Sequence, residues 1–199
     1  MEKNTEFRTN KPHQDRSFRV VVRNLHPSKE IQHIKRAIME KDTKSQIFGT
    51  LNSAARTDGG TAIIIWQNVK HNIREENKQE HVQATSIALQ DDTGELNIAA
   101  VYSPPKHVIK KVHYTRFFHT NGQRFLAGGD YNAKHVMWGA RITTTQGREL
   151  YKTMTNNNLQ YLSTCQPTFW PSDTNRQPDL LDFCIVKGIN TQNLKSLRA

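Results

Sequence analysis

Three short apolar runs constrain this chain more than any other feature: Thr61–Trp66 (TAIIIW), Ala84–Leu89 (ATSIAL) and Glu95–Tyr102 (ELNIAAVY). Each is too short for a buried helix and is rich in β-branched or small apolar residues, so each predicts a strand. Asp91-Asp92-Thr93-Gly94, between the second and third runs, has the chemistry of a tight turn and predicts an antiparallel hairpin. Pro104-Pro105 stops the third run. Farther along, Arg124–Ala127 (RFLA) predicts a strand broken by Gly128-Gly129, and Leu159–Ser163 and Leu180–Val186 predict two more around a Pro-rich loop. Helices are expected over 106–119 and over Gly147–Asn157, the latter carrying Leu150 and Met154 on one face. Strands in adjacent runs with two inserted helices point to an α/β sandwich and not to a strictly alternating parallel sheet.

Upstream the texture differs. Residues 1–16 are polar and predict a flexible tail. Phe18–Arg23 (FRVVVR) predicts a strand, and Ser28 is placed to cap a helix over 29–40 with Ile31, Ile34 and Ile38 on one face. Residues 41–60 show no periodicity and predict a linker or boundary. Lys+Arg 28 against Asp+Glu 18 gives a net charge of +10 and a pI near 9.8, which favours a polyanionic partner through long-range attraction and counterion release. With 35% hydrophobic residues and a mean hydropathy of −0.74, the chain has no apolar run near the roughly 18–20 residues that cross a bilayer. The first 20 residues hold no apolar signal core, so an intracellular protein without a membrane partner is expected. Cys165 and Cys184 are too few for a disulfide framework or a cysteine zinc module.

Chemistry concentrates at Phe125-Leu126-Ala127-Gly128-Gly129-Asp130-Tyr131-Asn132, where an apolar strand ends in two glycines followed by a carboxylate and an amide. Asp130 can serve as base on a water or bind a divalent cation, and Asn132 can donate to a phosphate oxygen. The competing reading is a turn whose Asp and Asn bond their own backbone. Asp182 interrupts the otherwise apolar Leu180–Val186 and needs a partner there, because an unpaired buried charge is costly. Tyr102 closes its strand directly before Ser103-Pro104-Pro105.

A series of segments then carries a resemblance. Thr57-Asp58-Gly59-Gly60-Thr61-Ala62-Ile63-Ile64-Ile65 comes first, followed by Ala100-Val101-Tyr102-Ser103-Pro104-Pro105. Next are Gly129-Asp130-Tyr131-Asn132-Ala133-Lys134-His135 with Trp138-Gly139, then Gly147-Arg148-Glu149-Leu150, Pro167-Thr168-Phe169 and Pro178-Asp179-Leu180-Leu181-Asp182-Phe183. Over residues 56–190 the series resembles the apurinic-type endonuclease domain of jockey-like non-LTR retrotransposons, in the endonuclease/exonuclease/phosphatase superfamily. The resemblance implies a four-layered α/β sandwich, two sheets between helices, that cleaves a DNA phosphodiester with Mg²⁺ or Mn²⁺. It also implies a parent element carrying a reverse transcriptase, a DNA duplex as target with RNA as a second polyanion, and a nuclear location. By the same resemblance Asp130 activates the attacking water and is the weak metal ligand, Asn132 and Tyr102 hold the scissile phosphate, and Asp182 orients a histidine. Lys134, His135 and Trp138 are then expected at the phosphate or the DNA.

The departures set further expectations. The family's opening strands bear an Asn and a metal-binding Glu, a form not found before Thr57, where Glu2, Glu6, Glu30 and Glu40 fall in the tail or on the helix. Residues 183–199 contain no Asp, Glu or His, so the family's closing Asp-His pair has no counterpart, and His107, His113 and His135 read as surface residues. Residues 17–42 resemble a segment of jockey-type Gag proteins. The expectation is therefore an incomplete sandwich: tail 1–16, Gag-like unit 17–42 outside the cleft, linker 43–55, nuclease domain 56–190 and tail 191–199. Impaired cleavage, or nucleic-acid binding without turnover, follows from that expectation.

Overall fold

The computed structural model describes residues 21–24, 45–51, 60–66, 68–74, 77–78, 81–105, 107–173 and 175–190. Its centre is a hairpin of two nine-residue strands, β6 (Gln83–Asp91) and β7 (Gly94–Tyr102), paired residue by residue from Asp91↔Gly94 to Gln83↔Tyr102. The turn works as its chemistry predicts: Gly94 has φ 113°, and Asp91 Oδ1 accepts the Thr93 amide at 2.8 Å. The Arg124 guanidinium clamps Asp91 at 2.6 and 2.9 Å and, with Thr93, holds its carboxyl well below the usual carboxylate range.

From β7 the chain crosses through α1 (Lys111–Thr120) to β8 (Phe125–Asp130), which pairs parallel to β7; a parallel pair requires such a crossover. After a 3₁₀ turn (Val136–Trp138) and α2 (Thr145–Asn156), β9 (Gln160–Leu162) and β10 (Asp182–Lys187) complete the sheet antiparallel to one another, with β10 antiparallel to β8. Short strands β4 (His71–Ile73) and β5 (Asn77–Lys78) line the other edge along β6, giving the order β4-β6-β7-β8-β10-β9 with β5 also on β6. A second, antiparallel sheet has the order β1-β3-β2, with β1 Val21–Asn24, β2 Ser45–Leu51 and β3 Gly60–Trp66.

Alternation along the strands divides the core in two. Ala99 and Val101 of β7 and Phe125 and Ala127 of β8 turn to one face, where Tyr114, Phe117 and Phe118 of α1 and Leu150 and Met154 of α2 cover them. Ile98 and Ala100 of β7 join Ile87 and Leu89 of β6 on the opposite face, against Ile63 and Ile65 of β3. Among the described residues the layers are small sheet, large sheet and helices. No helix among the described residues is long and apolar enough to cross a membrane.

Several expectations change. Ser45–Leu51, within the expected linker, is a seven-residue strand whose backbone is paired along the whole of β3. Strand β8 runs through Gly128-Gly129 instead of breaking there. Asp182 opens β10 and does not interrupt it, because Leu180 and Leu181 precede the ladder. Val21–Asn24 of the expected Gag-like unit covers an edge of the small sheet: it pairs with β3 and lies against β7 and β8. The helix expected over 29–40 and the tails 1–16 and 191–199 lie outside the described residues.

Candidate active site

Two register relations build the site. Tyr102 pairs with Asp130 across the parallel β7–β8 ladder, and Asp130 pairs with Asp182 across the antiparallel β8–β10 ladder. The three residues form one row across three adjacent strands. Same-face neighbours in such a row have Cβ atoms about 4.5–5.5 Å apart. Gly129 makes this row possible: its φ is 146°, and a Cβ there would sit 2.0 Å from the Val101 carbonyl oxygen.

Asp130 is 7% exposed. Burial pushes its carboxyl up to about 7 and the neighbouring Asp182 charge adds to this, while the Asn132 amide, donating to Asp130 Oδ1 at 2.7 Å, opposes it. Asn132 holds a left-handed backbone, φ 46°, and its Nδ2 donates to the Ser103 carbonyl at 2.9 Å. Ser103, directly after Tyr102, returns a 2.8 Å hydrogen bond from its amide to the Asp130 carbonyl. The two readings of Asp130 and Asn132 thus coexist, since they bond local backbone and also stand in a carboxylate row. Asp182 is likewise raised by burial, opposed by the Thr168 side chain, whose Oγ1 accepts the Leu181 and Asp182 amides at 3.0 and 2.9 Å. Tyr102 is buried at the other end of the row.

The three residues expected at phosphate or DNA stand differently. Trp138 is fully buried, stacked on Phe183 with ring centroids 4.9 Å apart, and its Nε1 donates to the Ala133 carbonyl at 3.0 Å. It is a core residue and cannot reach DNA. His135 is half-buried, stacked on Tyr151 at 4.6 Å, and its Nδ1 accepts the Met137 amide. Burial, and then Arg148, lower its pKa. Lys134 directs its ammonium at Asp179, 3.0 Å away.

Asp179 is a residue the sequence reading passed over. Only 2% exposed, it accepts the Arg141 and Leu180 amides at Oδ1, 3.1 and 2.9 Å, and faces the Arg141 Nε at 3.7 Å. Burial would raise its carboxyl, but Lys134 and the two amides outweigh that and hold it below the usual range. Its signal was an acidic residue beside two leucines that end up buried. Glu2, Glu6, Glu30 and Glu40 lie outside the described residues. His107 and His113 are not simple surface residues, since both rings pack on His81, at 5.5 and 4.1 Å. Among the described residues no group of three His, Cys, Asp or Glu side chains could hold a metal ion.

Comparison with solved structures defines the class. The endonuclease domain of TRAS1, a telomere-specific non-LTR retrotransposon, shares the fold with a TM-score of 0.60 at 17% identity, over 73% of this chain and 68% of that one. The AP endonuclease from Leishmania major does so with a TM-score of 0.55 at 10% identity, over 84% and 69%. The architecture is thus an α/β fold of the endonuclease/exonuclease/phosphatase type. The family model described as endonuclease-reverse transcriptase matches residues 96–197, and the chain belongs to that family. It is 31% identical over 147 residues to the RNA-directed DNA polymerase from mobile element jockey of Drosophila funebris, covering 74% of this chain and 16% of that protein. It is also 31% identical over 131 residues to the probable RNA-directed DNA polymerase from transposon BS of Drosophila melanogaster, covering 66% and 14%. The chain therefore spans about one seventh of the length of the curated relatives it matches. By family it is an endonuclease-reverse transcriptase chain, with the fold of the endonuclease domain of a non-LTR retrotransposon.

Proposed function

We propose that this domain hydrolyses a DNA phosphodiester with Mg²⁺ or Mn²⁺, nicking duplex DNA at low turnover. The observation that carries the reading is the row Tyr102–Asp130–Asp182, with Asn132 beside it. Two desolvated carboxyls in adjacent strands suit a hard divalent cation or a shared proton. Mg²⁺ is commonly held by one or two carboxylates plus water and substrate phosphate, so this donor set fits it better than it fits a metal needing an all-protein cage. Asp130 is the residue that would hold the cation, which supplies neutralisation of phosphate charge.

The chain's own residues do the rest. Asp130, once ionised, accepts the proton of the attacking water. Asn132, fixed by its left-handed backbone, and the Tyr102 hydroxyl donate to the scissile phosphate. Asp182 maintains the negative field beside Asp130 and favours its protonated form. Low turnover follows from the sparse donor set: burial raises the Asp130 carboxyl to about 7, and no third acidic or imidazole ligand joins it among the described residues. The net charge of +10 supplies affinity for the DNA backbone whether or not cleavage occurs. Plasmid nicking with Mg²⁺ against EDTA tests the reading. Salt-dependent DNA binding without any nicking would leave a nucleic-acid-binding remnant in its place.

A further inference from the structure

We infer that Asp179 is a positioning residue whose carboxylate, buried and paired with Lys134, clasps together the two loops that carry Asn132 and Asp182. Lys134 lies two positions after Asn132, and Asp179 three before Asp182, so one ion pair of 3.0 Å joins both sides of the carboxylate row. Lys134 is fixed from behind as well. Its carbonyl accepts the Thr144 amide at 3.0 Å, and a Cβ on Gly147 would stand 1.8 Å from that oxygen, so α2 bears directly on it. On the other side, the Asp179 carbonyl accepts the Thr168 and Phe169 amides, each at 3.0 Å. Thr168 is the residue whose Oγ1 takes the Leu181 and Asp182 amides. A direct bond from the Tyr131 amide to the Leu181 carbonyl, 3.3 Å, spans the same gap. The Lys134 ammonium is thereby held at Asp179, although its side chain keeps 28% of its surface exposed.

The clasp fixes the row whatever the row does, and its bearing on cleavage rests on the function proposed above. The test uses the purified full chain and amide hydrogen exchange. Asp179→Asn and Lys134→Met should each speed exchange at the Tyr131, Leu181 and Asp182 amides by about tenfold, while Ile87 and Ile98 in the β6–β7 hairpin stay within about twofold. The double variant should exchange no faster than the faster single variant, and Lys134→Arg should keep its protection. Unchanged exchange in both single variants, additive effects, or equal acceleration at Ile87 and Ile98 would overturn the clasp. If Asp179→Asn does not fold, Lys134→Met decides on the same amides. A second arm measures duplex DNA binding against salt: the slope should be unchanged in Lys134→Met, whereas a loss of about one unit would put Lys134 on a phosphate and overturn the inference. A chain that binds no DNA at all would sink the proposed function and leave the exchange result to judge the clasp.

Discussion

Asp130 sits between opposed influences, burial and the Asp182 charge against the backbone and side-chain donors of Asn132, and the balance raises its carboxyl to about 7 from an ordinary 3.8. An acid raised on folding favours the folded state while it is protonated. This carboxyl therefore withdraws stability as pH climbs from about 4 to about 7, and Asp130→Asn should flatten that part of a stability–pH curve. The Asn132 amide, hydrogen-bonded to Asp130 Oδ1, is a natural reporter. Its NMR shift should titrate with a midpoint near pH 7 in metal-free buffer, and a midpoint under 5 would show that burial does not govern the group. Gly129→Ala is expected to be among the most damaging single changes, because the new Cβ meets backbone oxygen at 2.0 Å on a φ of 146°. A loss of about 3 kcal/mol or more in chemical denaturation is anticipated. Asp130, Asn132, Tyr102 and Asp182 were legible in the sequence because each lies at or beside a strand end, where period and turn residues mark position. Trp138 was misread, since a motif records that a residue is present and not which way it points. Asp179 escaped because its partner, Lys134, is distant in sequence.

At the level of elements, the β6–β7 hairpin and β3 were readable from apolar runs and turn chemistry, α2 from its apolar face, and α1 from its basic and aromatic stretch, within a few residues at their starts. Strand β2 was not. Ser45–Leu51 holds Ile47, Phe48 and Leu51 among polar and small residues, and what makes it a strand is the complete ladder offered by β3, a tertiary cause absent from local sequence. Gly128-Gly129 misled in the opposite sense. Two glycines normally weaken a strand, yet here close approach of Cys184 Sγ to Gly128 and of Val101 to Gly129 demands them. The 3₁₀ turn and the loop after it depend on Trp138 filling the space beneath. Trp138→Ala should cost about 3–5 kcal/mol in thermal or denaturant unfolding. Because the side chain is internal, DNA affinity extrapolated to the folded fraction should change little, and a specific loss of affinity at full folding would contradict its assignment to the core.

For the whole molecule, charge and fold work on different ranges. The excess of ten positive charges attracts a polyanion from a distance, whereas the carboxylate row acts only on a phosphate brought against it. Duplex DNA binding should therefore weaken steeply with salt, log Kobs falling by about 0.9 per neutralised phosphate per decade, and should survive Asp130→Ala. Affinity insensitive to salt would remove charge as its source. Cleavage must behave otherwise, and it tests the central claim that the Tyr102–Asp130–Asp182 row is a metal-assisted phosphodiesterase site. Supercoiled plasmid is incubated with the purified chain, with its Asp130→Ala variant and with the TRAS1 endonuclease domain, each in Mg²⁺ and in EDTA. The expected result is slow nicking in Mg²⁺ alone, well below the rate of the TRAS1 domain and abolished in the variant. Nicking that persists in EDTA or in Asp130→Ala, or no Mg²⁺-dependent nicking by the unmodified chain, would contradict it.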